Sequence, residues 1–224
     1  LDALEPRLAD PSEKTRNLGA HIFSRVSKAD SDRVMPYLDS LESCLDDVDE
    51  HTRNQATMAF YEVSKTNSSQ VVPHLDELEP RLSDTNEKTR NLAASIFRYV
   101  SEVDPDRVAS YLDSIELCLD DADEYTRNYA VSAFYEVCKA DPDRVGPYLD
   151  ELEPRLTDTN EKTRNLVVCV FRDISKTDPG RVARYLDALE PCLDDVKEST
   201  REFTAKTFYR VSDVAPSRVT AHLD

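Results

Sequence analysis

Glycine and histidine are both scarce in this 224-residue chain, at three and four copies, and no apolar run is long enough to cross a membrane. Much is excluded by that. A phosphate-cradling loop needs clustered glycines, and neither that motif, the nucleophile-elbow signature nor a His-Glu-x-x-His zinc helix occurs. His21, His51, His74 and His222 do not converge in the sequence pattern, and no His-Glu dipeptide exists. Basic residues are outnumbered as well: 28 Lys and Arg stand against 45 Asp and Glu, a formal charge of −17. Nonspecific nucleic-acid binding needs clustered cations to displace counterions, so it is not expected. With no signal peptide in view, the expectation is a cytoplasmic protein that is not an enzyme, holds no cofactor or metal, and does not insert into membranes.

What the sequence does have is repetition. Arg16, Arg53, Arg90, Arg127, Arg164 and Arg201 are each 37 residues apart, inside copies of Asp-x-x-Glu-x-Thr-Arg-Asn, with Glu replacing the final Asn in the last. The Asp and Glu of each copy, from Asp10/Glu13 to Asp195/Glu198, have capping-box spacing and predict a helix start with the Asp at the cap. A repeat array shares its core between neighbours, so a single array over 1–224 is expected, with units near 4–40, 41–77, 78–114, 115–151, 152–188 and 189–224.

Within a unit, Asp104-Pro105 opens a first helix, A, whose apolar residues Val108, Leu112, Ile115 and Leu119 form one stripe. Pro6, Pro80, Pro154 and Pro191 fall late in helix A, where the continuing stripe predicts a kink rather than a break. The second helix, B, carries a core row of Phe23, Phe60, Phe97, Phe134, Phe171 and Phe208. Short connections between A and B predict antiparallel pairs that stack.

Two helices per unit of this length, with an Asp at the turn and Thr-Arg following it, resemble HEAT repeats over the whole chain. The resemblance implies an all-α fold, a right-handed α-solenoid of six 37-residue antiparallel helix pairs without strands. It further implies that Asp10, Asp47, Asp84, Asp121, Asp158 and Asp195, with Arg16, Arg53, Arg90, Arg127, Arg164 and Arg201, form ladders tying successive repeats together. Superposed on the 37-residue period is one of 74. Odd copies read Leu-Glu-Pro-Arg-Leu, whereas even copies place Cys44, Cys118 or Cys192 at the Arg position and carry an Asp pair such as Asp120-Asp121.

Those three cysteines are two repeats apart, about 20 Å if each layer adds about 10 Å, too far for disulfides or a shared metal. With Cys138 and Cys169 they read as reduced thiols. The acidic turns, such as Asp46, Asp47, Asp49 and Glu50, lack the glycine and distal Glu of an EF-hand. The surplus of Asp and Arg resembles proteins of strongly halophilic organisms, where salt screens the repulsion between carboxylates. The rows Asp39, Asp76, Asp113, Asp150, Asp187 and Glu42, Glu79, Glu116, Glu153, Glu190 then read as a solvated acidic stripe on helix A.

Helix B is where a partner is expected. Counting 100° per residue from the core puts Asn54, Thr57 and Tyr61 on the outward side, and the Tyr61 position continues as Arg98, Tyr135, Arg172 and Tyr209. Beside it run Asn54, Asn91, Asn128 and Asn165. Tyr and Arg are enriched in binding hot spots. In HEAT-like solenoids B helices line the concave side, so the expected function is a non-catalytic scaffold holding a protein or peptide there. The chain begins and ends at one phase of helix A, without a polar capping repeat, as expected of a segment of a longer array. The alternative is head-to-tail self-association into a structural array.

Overall fold

The structure, a computed structural model, describes residues 1–222. Among them every regular element is helical. The chain divides into two compact units, Leu1–Cys118 and Leu119–Asp224. The first holds the long helices α1 (Glu13–Ala29), α2 (Glu50–Asn67) and α3 (Glu87–Ser101). In it α1 packs on α2 and α2 on α3. The second holds α4 (Glu124–Ala140), α5 (Glu161–Thr177) and α6 (Glu198–Ser212), with α5 between the other two. No helix among the described residues is long and apolar enough to cross a membrane.

The long helices start two residues later than a capping box on the repeat Asp would place them. Asp49 and Asp123 accept the amides of Thr52 and Thr126, while Asn86 and Asn160 accept those of Thr89 and Thr163. The Asp two residues earlier instead turns the chain. Its carboxylate accepts the amide two residues on, as Asp84 does from Asn86 (2.8 Å) and Asp158 from Asn160 (2.8 Å). Sequence spacing could not separate the two because Asp, Asn and Ser serve equally at caps and turns.

Helix A differs more. In place of one kinked helix, the third repeat runs as Pro105–Val108, a 3-10 segment Ala109–Tyr111, Leu112–Glu116 and a 3-10 segment Leu117–Asp120. Pro80, Pro154 and Pro191 each sit second in a 3-10 segment, Glu79–Ser83, Glu153–Thr157 and Glu190–Asp194. Proline has no N–H to give and its ring crowds the carbonyl four residues back, so the α pattern ends there. Where Ser43 stands in place of Pro, Leu38–Leu45 is a continuous α-helix, but Leu117 at the same position still opens a 3-10 segment, so proline is one cause of the break and not the sole one.

The apolar stripe survives because the 3-10 and α pieces together keep one side inward. Val108, Leu112, Ile115 and Leu119 are at most 2 % exposed. Phe23, Phe60, Phe97, Phe134 and Phe171 are fully buried, and Phe208 nearly so. Each meets the next aromatic ring of its repeat edge-on at 5.1–5.6 Å: Tyr37, His74, Tyr111, Tyr148, Tyr185 and His222 in turn. Such pairs add about 1 kcal/mol each beyond the area they bury.

Candidate functional site

Repeat junctions frame the surface that remains for a partner. Arg16 meets Asp47 of the following repeat (Nε to Oδ2, 2.5 Å), Arg53 meets Asp84 (2.7 Å), Arg127 meets Asp158 (2.7 Å) and Arg164 meets Asp195 (2.6 Å). Each guanidinium also donates to the carbonyl of its own turn Asp, as Arg90 does to Asp84 O (2.9 Å) and Arg201 to Asp195 O (2.7 Å). One side chain thus fixes two successive turns. The hydrogen bond from Arg16 holds the Asp47 carboxyl below the usual carboxylate range. Burial, the largest single influence, pushes Asp84, Asp158 and Asp195 upward, but their arginine bonds, turn amides and neighbouring guanidinium charges together outweigh it and all three are lowered.

A second ladder was not anticipated. Tyr37, Tyr111 and Tyr185 donate their phenol protons to Asp2, Asp76 and Asp150, each 35 residues back. His74 takes the same place, with Nδ1 2.5 Å from Glu42 and Nε2 3.9 Å from Asp39. Arg107 and Arg184 reach Asp76 and Asp150 as well. The acidic rows of helix A are therefore not a merely solvated stripe, because their carboxylates anchor the next repeat. The 37-residue row of Tyr and His residues was the signal for it.

The 74-residue period has a structural cause. Cys44 donates its thiol to Leu8 O, and Cys118 and Cys192 do the same to Leu82 O and Leu156 O. At the next repeat Arg81 Nη1 fills that slot, 2.7 Å from Leu45 O, and its Nη2 reaches Asp46 (2.9 Å). Arg155 pairs likewise with Asp120 (2.9 Å). The Asp pair of even repeats thus answers the Arg of odd ones. All five thiols are free and buried, and burial raises Cys44 and Cys192 to about 11 and Cys138 to about 12.

The sites expected on the B helices divide. Asn54 and Asn128 are turned into the junctions, donating to Thr89 Oγ1 (3.3 Å) and Thr163 Oγ1 (3.2 Å), and Asn165 donates to Ser199 and Thr200 (3.0 Å each). Asn91, half-buried, occupies the same position in α3. Thr57 is not outward at all: it is fully buried and donates to Arg53 O. Its side faces the neighbouring helix rather than solvent, because a stacked middle helix is covered on three sides.

The Tyr and Arg positions gather into a strip in each unit. In the first, Tyr61 lies 6.2 Å from Tyr99, Arg98 covers Tyr99 at 4.5 Å and Lys65 covers Tyr61 at 5.0 Å. In the second, Arg172 lies 4.3 Å over Phe203, and Lys139 covers Tyr135 at 5.4 Å. Carboxylates hold the cations: Glu62 takes Lys65 (2.6 Å), Glu136 takes Lys139 (2.6 Å) and Asp173 takes Arg172 (2.8 Å). Tyr209 is exposed (71 %). Tyr99 and Phe203 were missed because neither stands in the counted row and the two occupy different positions of the repeat. Beside the first strip an open groove of about 520 Å³ is lined by Arg25, Lys28, Gln55, Met58, Tyr61 and Glu62, among others.

These features define an all-α helical-repeat solenoid. Solved structures share the fold. A computationally designed armadillo repeat protein for modular peptide recognition superposes over 94 % of this chain and 99 % of its own, with a TM-score of 0.82 at 16 % identity. A second designed armadillo repeat protein, in complex with the peptide (KR)4, covers the same shares with a TM-score of 0.78 at 17 % identity. No protein-family model and no curated protein matches the sequence.

Proposed function

We propose that this protein is a non-catalytic scaffold that binds a protein or an extended peptide on the outward surface of its long helices. The observation that carries the reading is the recurrence of Tyr61 and Arg98 as Tyr135 and Arg172, each arginine lying over a further ring, Tyr99 or Phe203. Flat rings already clamped by cations lose little freedom on contact, so the ordering cost that opposes binding is small. Ion pairing within the strip leaves ring faces and edges, rather than net charge, as the contact chemistry. The peptide complex of the structural neighbour supports the same use of this fold.

The B-helix contacts would centre on Tyr61, Arg98, Tyr135, Arg172 and Tyr209, with the asparagines serving the junctions instead. A displayed library of random 12-residue peptides, panned on the immobilised chain, tests this. Enriched peptides should bind the wild type and lose at least about tenfold in affinity on Tyr61→Ala or Tyr135→Ala, the loss of one modest hot spot. No enrichment, or enrichment indifferent to both variants, refutes it. Light scattering across concentration belongs beside it, because a mass that climbs without a ceiling would favour a self-assembling array.

A further inference from the structure

Where most repeats place a tyrosine against the preceding carboxylates, the second places His74, and the exchange changes what the junction can hold. One oxygen each of Asp39 and Glu42 and one ring nitrogen of His74 lie within 4.8 Å of one another. His74 is 6 % exposed, and its ring is set edge-on against Phe60 at 5.3 Å, so packing fixes the direction of its nitrogens. Asp39, by contrast, has a side chain 96 % exposed and can turn toward the ring.

The position of Ser40 carries a carboxylate in the repeat of His74. Ser40 and Ser114 bond to Glu5 and Glu79, each 35 residues back. The residue 35 after Glu42 is Glu77, so a carboxylate replaces the hydroxyl there. Its Oε2 is buried and has no hydrogen-bond partner among the described residues. An anionic oxygen buried without a partner is costly. The Glu77 carboxylate lies outside the Asp39, Glu42 and His74 trio, which by itself sets two carboxylates against one oriented imidazole.

We propose that Asp39, Glu42 and His74 form a binding site for a divalent transition-metal cation of the zinc class. Imidazole nitrogen with carboxylate oxygen is a donor set that favours such ions over magnesium and calcium, which take oxygen alone. Bond lengths of about 2.0–2.2 Å put neighbouring donors about 3.4 Å apart in a tetrahedron. The His74–Glu42 contact of 2.5 Å needs to open by less than 1 Å, with the cation in place of the shared proton, which leaves to solvent. A related trio stands in the second unit, where His222 Nδ1 is 2.8 Å from Glu190 and Nε2 is 3.4 Å from Asp187. Its existence makes a carboxylate-flanked imidazole a recurring device of the array.

Titration calorimetry with zinc chloride and, separately, magnesium chloride tests the site. His74→Tyr restores the side chain found at Tyr111 and Tyr185, so its fold should be kept, and it leaves His21, His51 and His222 as controls for adventitious binding. Zinc should bind the wild type, and His74→Tyr should weaken the tightest event at least about tenfold. Asp39→Asn, at an exposed position that cannot threaten folding, should weaken it too. Equal zinc affinity in wild type and His74→Tyr, no zinc binding at millimolar concentration, or magnesium binding as tight as zinc would each overturn the proposal.

Discussion

Removing one arginine of the turn ladder should cost different amounts at different junctions, and what decides the difference is the cation left behind. In Arg53→Ala, Asp84 loses bonds of 2.7 and 3.2 Å but keeps Arg81 at 3.1 Å and the Asn86 amide at 2.8 Å. In Arg164→Ala, Asp195 loses its 2.6 Å bond and keeps only the Lys197 amide at 2.8 Å, because Cys192 stands where Arg81 does. Both aspartates are nearly buried, with side chains 3 % and 5 % exposed. Losses at backbone carbonyls match at the two sites and cancel: Asp47 O and Val48 O in one, Asp158 O and Thr159 O in the other. A charged hydrogen bond contributes about 1.5–3 kcal/mol, and stranding its buried partner approaches the cost of a broken buried pair. Expected losses are therefore about 2 kcal/mol for Arg53→Ala and about 3 kcal/mol for Arg164→Ala. Urea unfolding at pH 7 measures both, with the slope checked for constancy because arrays can lose cooperativity. Equal losses, or the reverse order, would refute the idea that Arg81 is the compensating cation.

Two further predictions concern charge as a whole. Asp47, Asp84, Asp158 and Asp195 have folded values below their ordinary one, so the stability they add is present above about pH 4 and is lost as pH falls through their lowered values. Relief of the −17 charge acts the other way as pH drops from 7 toward the isoelectric point near 4.6. The melting temperature at low salt should accordingly hold or rise toward pH 5 and then fall steeply below 4; a profile flat to pH 2 contradicts the ladder's role. If repulsion between carboxylates limits stability at neutral pH, the melting temperature should climb by several degrees between low and molar KCl. No response to salt would remove salt adaptation as the reason for the acidity and return it to the partner.

Which parts of this architecture the sequence revealed depends on how local their causes are. The Phe row and the Val108 to Leu119 stripe are legible because burial imposes a period that survives any detail of the backbone. The Arg row could be seen, but its acceptor could not: Arg53 uses its own turn at Asp47 O and the next repeat at Asp84 together, and spacing alone does not say which. Helix A failed as a continuous helix in part because proline chemistry acts within one turn while hydrophobic spacing averages over four. Thr57 failed for a related reason. A helix wheel knows one buried side, whereas a middle helix of a stack has three. The strips were half legible, since Tyr61 and Arg98 stand in the counted row and Tyr99 and Phe203 do not.

The double period carries the strongest lesson about how such an array keeps its order. A junction entered through cysteine is neutral: the Cys44 thiol meets the Leu8 carbonyl in a buried, apolar slot. A junction entered through arginine is charged, and Arg81 brings a guanidinium that needs Asp46 as well as Leu45 O. An odd repeat stacked on another odd repeat would meet Ala9, Ser83 or Thr157 where it needs that Asp. The guanidinium would then lose one carboxylate while keeping Asp84, a modest penalty on the wrong neighbour because Asp46 is an exposed partner. One side chain per junction thus biases nearly identical repeats toward alternation.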